Sequence, residues 1–189
     1  MILDKISSYG GVYSETTAVR HILSYHGVVD THGGNPISEA MLFGISGGIG
    51  FAYFNFEYEG YEPTLYIGTA QRYKTRFGQY MANLYKRLGL EINVKLTKSA
   101  QQAEADLLND LAHERPALLH VDRGYLPYYA EDSEYGDHAL VVLGHDDKSH
   151  NFIVADQSKV PLFISPDDLA DARGAITSLS YRSLTIAPP

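Results

Sequence analysis

The chain of 189 residues has no cysteine and no tryptophan, and its 15 Lys and Arg are outnumbered by 23 Asp and Glu. Without cysteine there is no disulfide, no thiolate metal site and no thiol nucleophile. The net charge of -8, spread along the chain, argues against general nucleic-acid binding and favours solubility or a basic partner or substrate. No window approaches the ~20 apolar residues of a membrane span. Met1-Ile2-Leu3-Asp4-Lys5 is too short and too quickly charged for a signal peptide. These absences predict a cytoplasmic chain with no membrane partner. The length suits one domain over 1–189 with a sizeable core.

What is present begins with 15 Tyr, many beside Gly-rich turns, where an amphipathic ring lines a wet pocket or caps the core. The eight His give no metal spacing: His21 and His26, like His145 and His150, are five apart, and there is no HExxH. No metal or cofactor is expected. Gly44 to Gly50 resembles a phosphate loop only in its glycines, because no Lys-Ser/Thr follows, so a turn into an apolar strand over 51–56 is the better reading.

Apolar residues at Ala18, Val19, Ile22 and Leu23 predict a helix from Ser14 or Glu15 to Tyr25, stopped by Gly27. Ser38 and Gly44 bracket a second helix, and 71–88 predicts a third with a basic face carrying Arg72, Lys74, Arg76, Lys86 and Arg87. Ser99 opens a fourth helix, ending before Pro116, and Ser165-Pro166 opens a short fifth. Strands are expected over 61–67, 90–96, 117–121 and 181–186, and His138 to Gly144 forms a hairpin with Phe152 to Asp156. Helices dominate the first half and an antiparallel sheet the second, an α+β pattern.

Ser14 sits where a Gly-rich loop enters a helix. The first amides of a helix have no internal partners, so an oxyanion next to Ser14 finds donors there. Ser is equally a favoured N-cap, and both readings stand on local sequence. His138 starts one strand and Asp156 ends its neighbour, which places them side by side in an antiparallel pair. A carboxylate there fixes the imidazole for general-base work, and a helix-borne nucleophile completes a triad. Asp122, at a strand end, either binds a substrate amine or caps the turn at Arg123-Gly124. Tyr53, Tyr125 and Tyr128 are candidates for lining an acyl pocket.

A set of segments in order resembles the N-terminal domain of the butirosin biosynthesis protein H family, itself akin to the papain-like, bacteriocin-processing cysteine peptidases. They are Glu15-Thr16-Thr17-Ala18 with Leu23 and Tyr25-His26-Gly27, Ser38 to Gly44, Gly47 to Phe51, Val121-Asp122, Leu126-Pro127-Tyr128, His138 to Gly144, Val154-Ala155-Asp156, Asp168-Leu169 and Ala172-Arg173. The resemblance implies a papain-like fold and acyl transfer, in which an acyl group passes from a carrier-protein or other thioester donor to a small-molecule amine. Leader-peptide proteolysis, or an inactive module that binds an acyl or peptide ligand, are the other readings. It assigns Ser14 as nucleophile, His138 as base and Asp156 as the partner that orients His138. The family carries Cys where this chain has Ser14, which reads as a serine-using variant, a relic in a non-catalytic protein, or a Cys→Ser replacement. The papain-like oxyanion Gln is not evident at Ser7-Ser8-Tyr9. A second, mainly helical domain that often follows in the family is not seen here. Oligomeric state is left open.

Overall fold

The computed structural model describes residues 3, 8–69, 79–129, 136–179 and 181–189. Its centre is a six-stranded sheet in which every neighbouring pair is antiparallel. In chain order the elements are α1 (Ser14–Tyr25), α2 (Glu39–Ser46), β1 (Phe51–Phe56), β2 (Thr64–Thr69), α3 (Tyr80–Leu88), β3 (Glu91–Lys95) and α4 (Ala100–Ala112). After these come β4 (Ala117–Asp122), β5 (Asp137–Asp146), β6 (Asn151–Ala155), β7 (Leu162–Ile164), α5 (Pro166–Gly174) and β8 (Ser183–Ala187). The strand order is β3-β8-β4-β5-β6-β7, so the last strand inserts between β3 and β4.

Helices cover both faces. Val19, Ile22 and Leu23 of α1, Leu42 of α2 and Leu84 of α3 pack with Ala139, Val141 and Leu143 of β5. Leu107 and Leu111 of α4, with Leu169 and Ala172 of α5, pack with Leu140 and Val142 from the other face of the same strand. A strand covered on both sides must be apolar on both, which is why residues 117–119 and 139–143 are near-continuous apolar runs. Each fully buried Leu or Ile among them is worth about 1.5–3 kcal/mol.

Local chemistry sets the helix ends. The side chains of Ser38, Ser99 and Ser165 accept from Met41, Gln102 and Asp168 amides, as three N-caps should. The second helix runs past Gly44 to Ser46 and ends at Gly47, whose φ of 83° is the left-handed cap that glycine adopts without strain. The third expected helix is seen as α3; residues 70–78, with Arg72, Lys74 and Arg76, lie outside the described residues. β1 and β2 form a separate two-stranded hairpin, and the strand expected over 61–67 runs over 64–69. Among the described residues no helix is long and apolar enough to cross a membrane.

Candidate active site

Ser14 is the first helical residue of α1, and Tyr13 holds the N-cap position with no side-chain cap. The local N-cap reading of Ser14 is therefore set aside: the cap comes from Glu39 of α2. One Glu39 oxygen accepts from the amides of Val12 and Tyr13, at 3.2 and 2.6 Å, and from the hydroxyls of Thr16 and Thr17, at 3.3 and 3.0 Å. A carboxylate at the positive end of a helix is favourable, and here it also ties α2 to α1. Glu39→Ala is expected to lower unfolding free energy by about 2 kcal/mol, read as a fall in urea midpoint with unchanged slope.

Glu39 consumes the amides before Ser14 and leaves those at and after it. The amides of Ser14 and Glu15 have no hydrogen-bond acceptor among the described residues, and neither has the Ser14 hydroxyl, which is half-buried. The loop ahead of them is tied down. The Gly11 amide donates to the Gln157 carbonyl at 3.2 Å, and the Gln157 side-chain amide donates to the Val12 carbonyl at 2.6 Å. Gly10 needs to be glycine: its φ is +69°, and a Cβ there would sit 3.3 Å from the Gln157 carbonyl oxygen. The residue stitched to the Ser14 loop is thus the one that follows Asp156.

Asp156 ends β6, and His138 lies at the start of β5. His138 Nε2 is 2.7 Å from Asp156 Oδ1, with both side chains buried. The same oxygen accepts from the Gln157 amide at 2.7 Å, and Oδ2 accepts from the hydroxyls of Tyr128 and Tyr129, at 3.0 and 3.3 Å. Burial, then the Asp156 charge, pushes both phenols up, Tyr129 to about 12 and Tyr128 beyond, so both stay protonated donors. A carboxylate only accepts, so His138 donates its Nε2–H to Asp156, which leaves Nδ1 as the ring nitrogen not spent on this carboxylate. The Tyr129 and His138 rings meet edge to face, centroids 5.7 Å apart, and the Arg123 guanidinium lies 4.2 Å from the centroid of the same Tyr129 ring.

The structure brings His138 and Asp156 into direct contact. The Gln157 stitch reaches Gly11 and Val12 in the loop before Ser14, and no hydrogen bond joins Ser14 to His138. The alternation along β5 explains why. Leu140 and Val142 face the α4–α5 layer, so His138 lies on that side beneath the two tyrosines, whereas α1 packs on the opposite face.

Other expected site residues are placed differently. Asp122 Oδ1 accepts from the amides of Gly124 and Gly136, at 2.9 and 3.1 Å, which is the turn-capping arrangement. Tyr128 spends its hydroxyl on Asp156. Tyr53 is 75% exposed on the β1–β2 hairpin, and Tyr125 is 48% exposed at the end of the turn after β4. Sequence reasoning passed over a second pair, His120 with Asp137. His120 Nδ1 is 3.0 Å from Asp137 Oδ1, and both line a cavity of about 460 Å³ with Tyr13 and Glu15, the two neighbours of Ser14. A His inside the apolar run of β4 was the available signal. No group of three or more His, Asp or Glu able to hold a metal occurs among the described residues.

No curated protein matches the chain. Among solved structures, a Bacillus anthracis protein described as a C39-like peptidase superposes with a TM-score of 0.59 at 14% identity, covering 100% of this chain and 97% of that one. At that identity the likeness speaks to fold, and it gives this α+β architecture as the papain-like one. The sequence profile described as "Butirosin biosynthesis protein H, N-terminal" matches residues 14–157, from the first residue of α1 to the Gln157 stitch. That match spans most of the chain, and by it the chain belongs to the butirosin biosynthesis protein H, N-terminal family.

Proposed function

We propose that this domain is a papain-like acyltransferase of natural-product biosynthesis, working through an acyl-enzyme at position 14. One observation carries the reading: a buried carboxylate with four donors fixes His138, and its chain neighbour holds the loop that leads to Ser14. His138 Nδ1 takes the proton of the position-14 nucleophile as its oxygen or sulfur attacks the thioester carbonyl. The C–S bond of the donor then breaks, and the departing sulfur takes that proton from His138 to leave as a thiol. An amine next attacks the acyl group, loses its proton to Nδ1, and the nucleophile recovers it as the amide forms. The amides of Ser14 and Glu15 stabilise the oxyanion in both steps.

The donor is a carrier protein or another thioester, and the acceptor is a small-molecule amine. An acidic carrier would be repelled by a net charge of -8 unless a local basic face exists. Lys86 and Arg87, exposed at the end of α3, are the described part of the basic face read from the sequence.

The test is Ser14→Cys, because a thiol is far more acidic than a hydroxyl and suits a site with one imidazole base. Incubation with an acyl thioester is expected to give an acyl adduct by intact mass, lost in Ser14→Cys/His138→Ala and kept in Ser14→Cys/His120→Ala. Absence of adduct with every donor would leave a binding module. The fold likeness favours a second reading, a peptidase. Cleavage of Gly-Gly peptides by Ser14→Cys, without transfer to amines, would select it.

A further inference from the structure

We infer that the cavity beside the first turn of α1 binds a small zwitterion, a molecule that carries an ammonium and a carboxylate, as an amino acid does. The cavity, about 460 Å³, has charges of both signs in its wall: Arg182, Glu15 and Asp137. Its size is that of a pocket for a small molecule.

Arg182 is the first pointer. Its guanidinium makes no hydrogen bond or ion pair with any described residue, and its Nε is sealed from solvent without a partner. A sealed donor on a cation is among the more expensive groups to leave unmatched, and an arginine fork matches a carboxylate in two parallel bonds. Glu15 is the second pointer. The hydroxyls of Tyr13 and Tyr80 both donate to its Oε2, so the carboxylate is held in place with Oε1 unengaged among the described residues. Tyr85 lies within the field of both charges: burial and Glu15 push its phenol up, and Arg182 pulls it down. Glu15, Tyr85 and Arg182 all line this one cavity, so a single bound molecule has both charges in its wall.

The combination decides the ligand class. A purely anionic ligand that reaches Arg182 meets two carboxylates, and a purely cationic one at Glu15 meets the guanidinium. Only a ligand with both charges is matched at both ends. Ile92, Met81 and Leu184 supply an apolar wall for its side chain. Because Tyr13 and Glu15 flank Ser14, the bound zwitterion lies next to the nucleophile position, although the site stands whether or not that position acylates.

The experiment reads binding without turnover, so its result is independent of the acyl-adduct test. L-phenylalanine and L-alanine are titrated calorimetrically into the unmodified chain, with phenethylamine and 3-phenylpropionate as single-charge analogues. The expected result is binding of at least one amino acid, with the two analogues at least about tenfold weaker than L-phenylalanine if that is the better ligand. Arg182→Gln is expected to weaken the amino acid about tenfold or more while phenethylamine binds no more weakly than before, and Glu15→Gln is expected to weaken the amino acid likewise while 3-phenylpropionate binds no more weakly than before. Circular dichroism confirms that each variant is folded, and a variant that is not folded is replaced by Arg182→Lys or Glu15→Asp. No heat with either amino acid up to about 10 mM overturns the inference. So does equal binding of the analogues, or unchanged amino-acid affinity in folded Arg182 and Glu15 variants.

Discussion

Asp156→Ala is expected to lower the unfolding free energy by about 3–5 kcal/mol, the largest loss of any single substitution at the site. The residue is 2% exposed and its two carboxylate oxygens accept from His138, the Gln157 amide, Tyr128 and Tyr129. Truncation leaves those donors in a space that water does not readily enter, and each buried orphan costs about 1–3 kcal/mol. Asp156→Asn keeps the volume and a carbonyl acceptor, so its loss is expected to be roughly half as large. Urea unfolding reads both, as a shift in midpoint at unchanged slope. In the Ser14→Cys background the same truncation releases the imidazole tautomer, and the rate of acyl-adduct formation is expected to fall on the order of 10³–10⁴-fold. Asp156→Asn should retain more of that rate than Asp156→Ala, because its carbonyl still orients Nε2–H. An Asp156→Ala chain as stable as the parent would mean that the four donors do not converge on this carboxylate.

Local patterns reached much of this arrangement. The antiparallel pairing of His138 with Asp156 follows from the start of one apolar run and the end of the next, and Ser38, Ser99 and Ser165 announced their helices by ordinary N-cap chemistry. What stayed hidden is non-local. Ser14 resembled an N-cap because Ser favours that place, yet the cap arrives from Glu39, 25 residues on in sequence and close only once α2 folds against α1. The insertion of β8 between β3 and β4 leaves no trace in the periodicity of any of the three strands. His120 could be tied to Asp137 only by knowing the β4–β5 register, in which His120 stands opposite Ala139 and Asp137 opposite Asp122, so that the two meet diagonally. Tyr128 read as a pocket lining, and Tyr129 drew no role, since nothing in the loop 123–129 says that two hydroxyls will reach a carboxylate after β6.

His21 gives the second large effect, and it depends on pH. It lies two turns along α1 from Ser14, 1% exposed, with neither ring nitrogen bonded. The ring stacks on Tyr9 at 5.9 Å, and the Arg20 guanidinium covers the same tyrosine at 4.4 Å. Burial first, then the Arg20 charge, drives its pKa down from 6.5 to about 4, against a partial upward pull from Asp156. A pKa lower in the folded than in the unfolded chain means that the unfolded chain takes the proton first. Stability is therefore full above about pH 6.5, falls as the pH drops from there to about 4, and changes no further below that on account of this group. The full displacement corresponds to about 3 kcal/mol. His21→Phe keeps the stack on Tyr9 and removes the two unbonded nitrogens, so at neutral pH it is expected to be at least as stable as the parent. Other groups titrate in the same range, so the informative quantity is the difference between the two chains in urea midpoint. It should widen in favour of His21→Phe as the pH is lowered from 7 toward 4. Parallel curves would show that the His21 imidazole is protonated as readily in the folded chain as in the unfolded one, and that the α1 core around it is open to water.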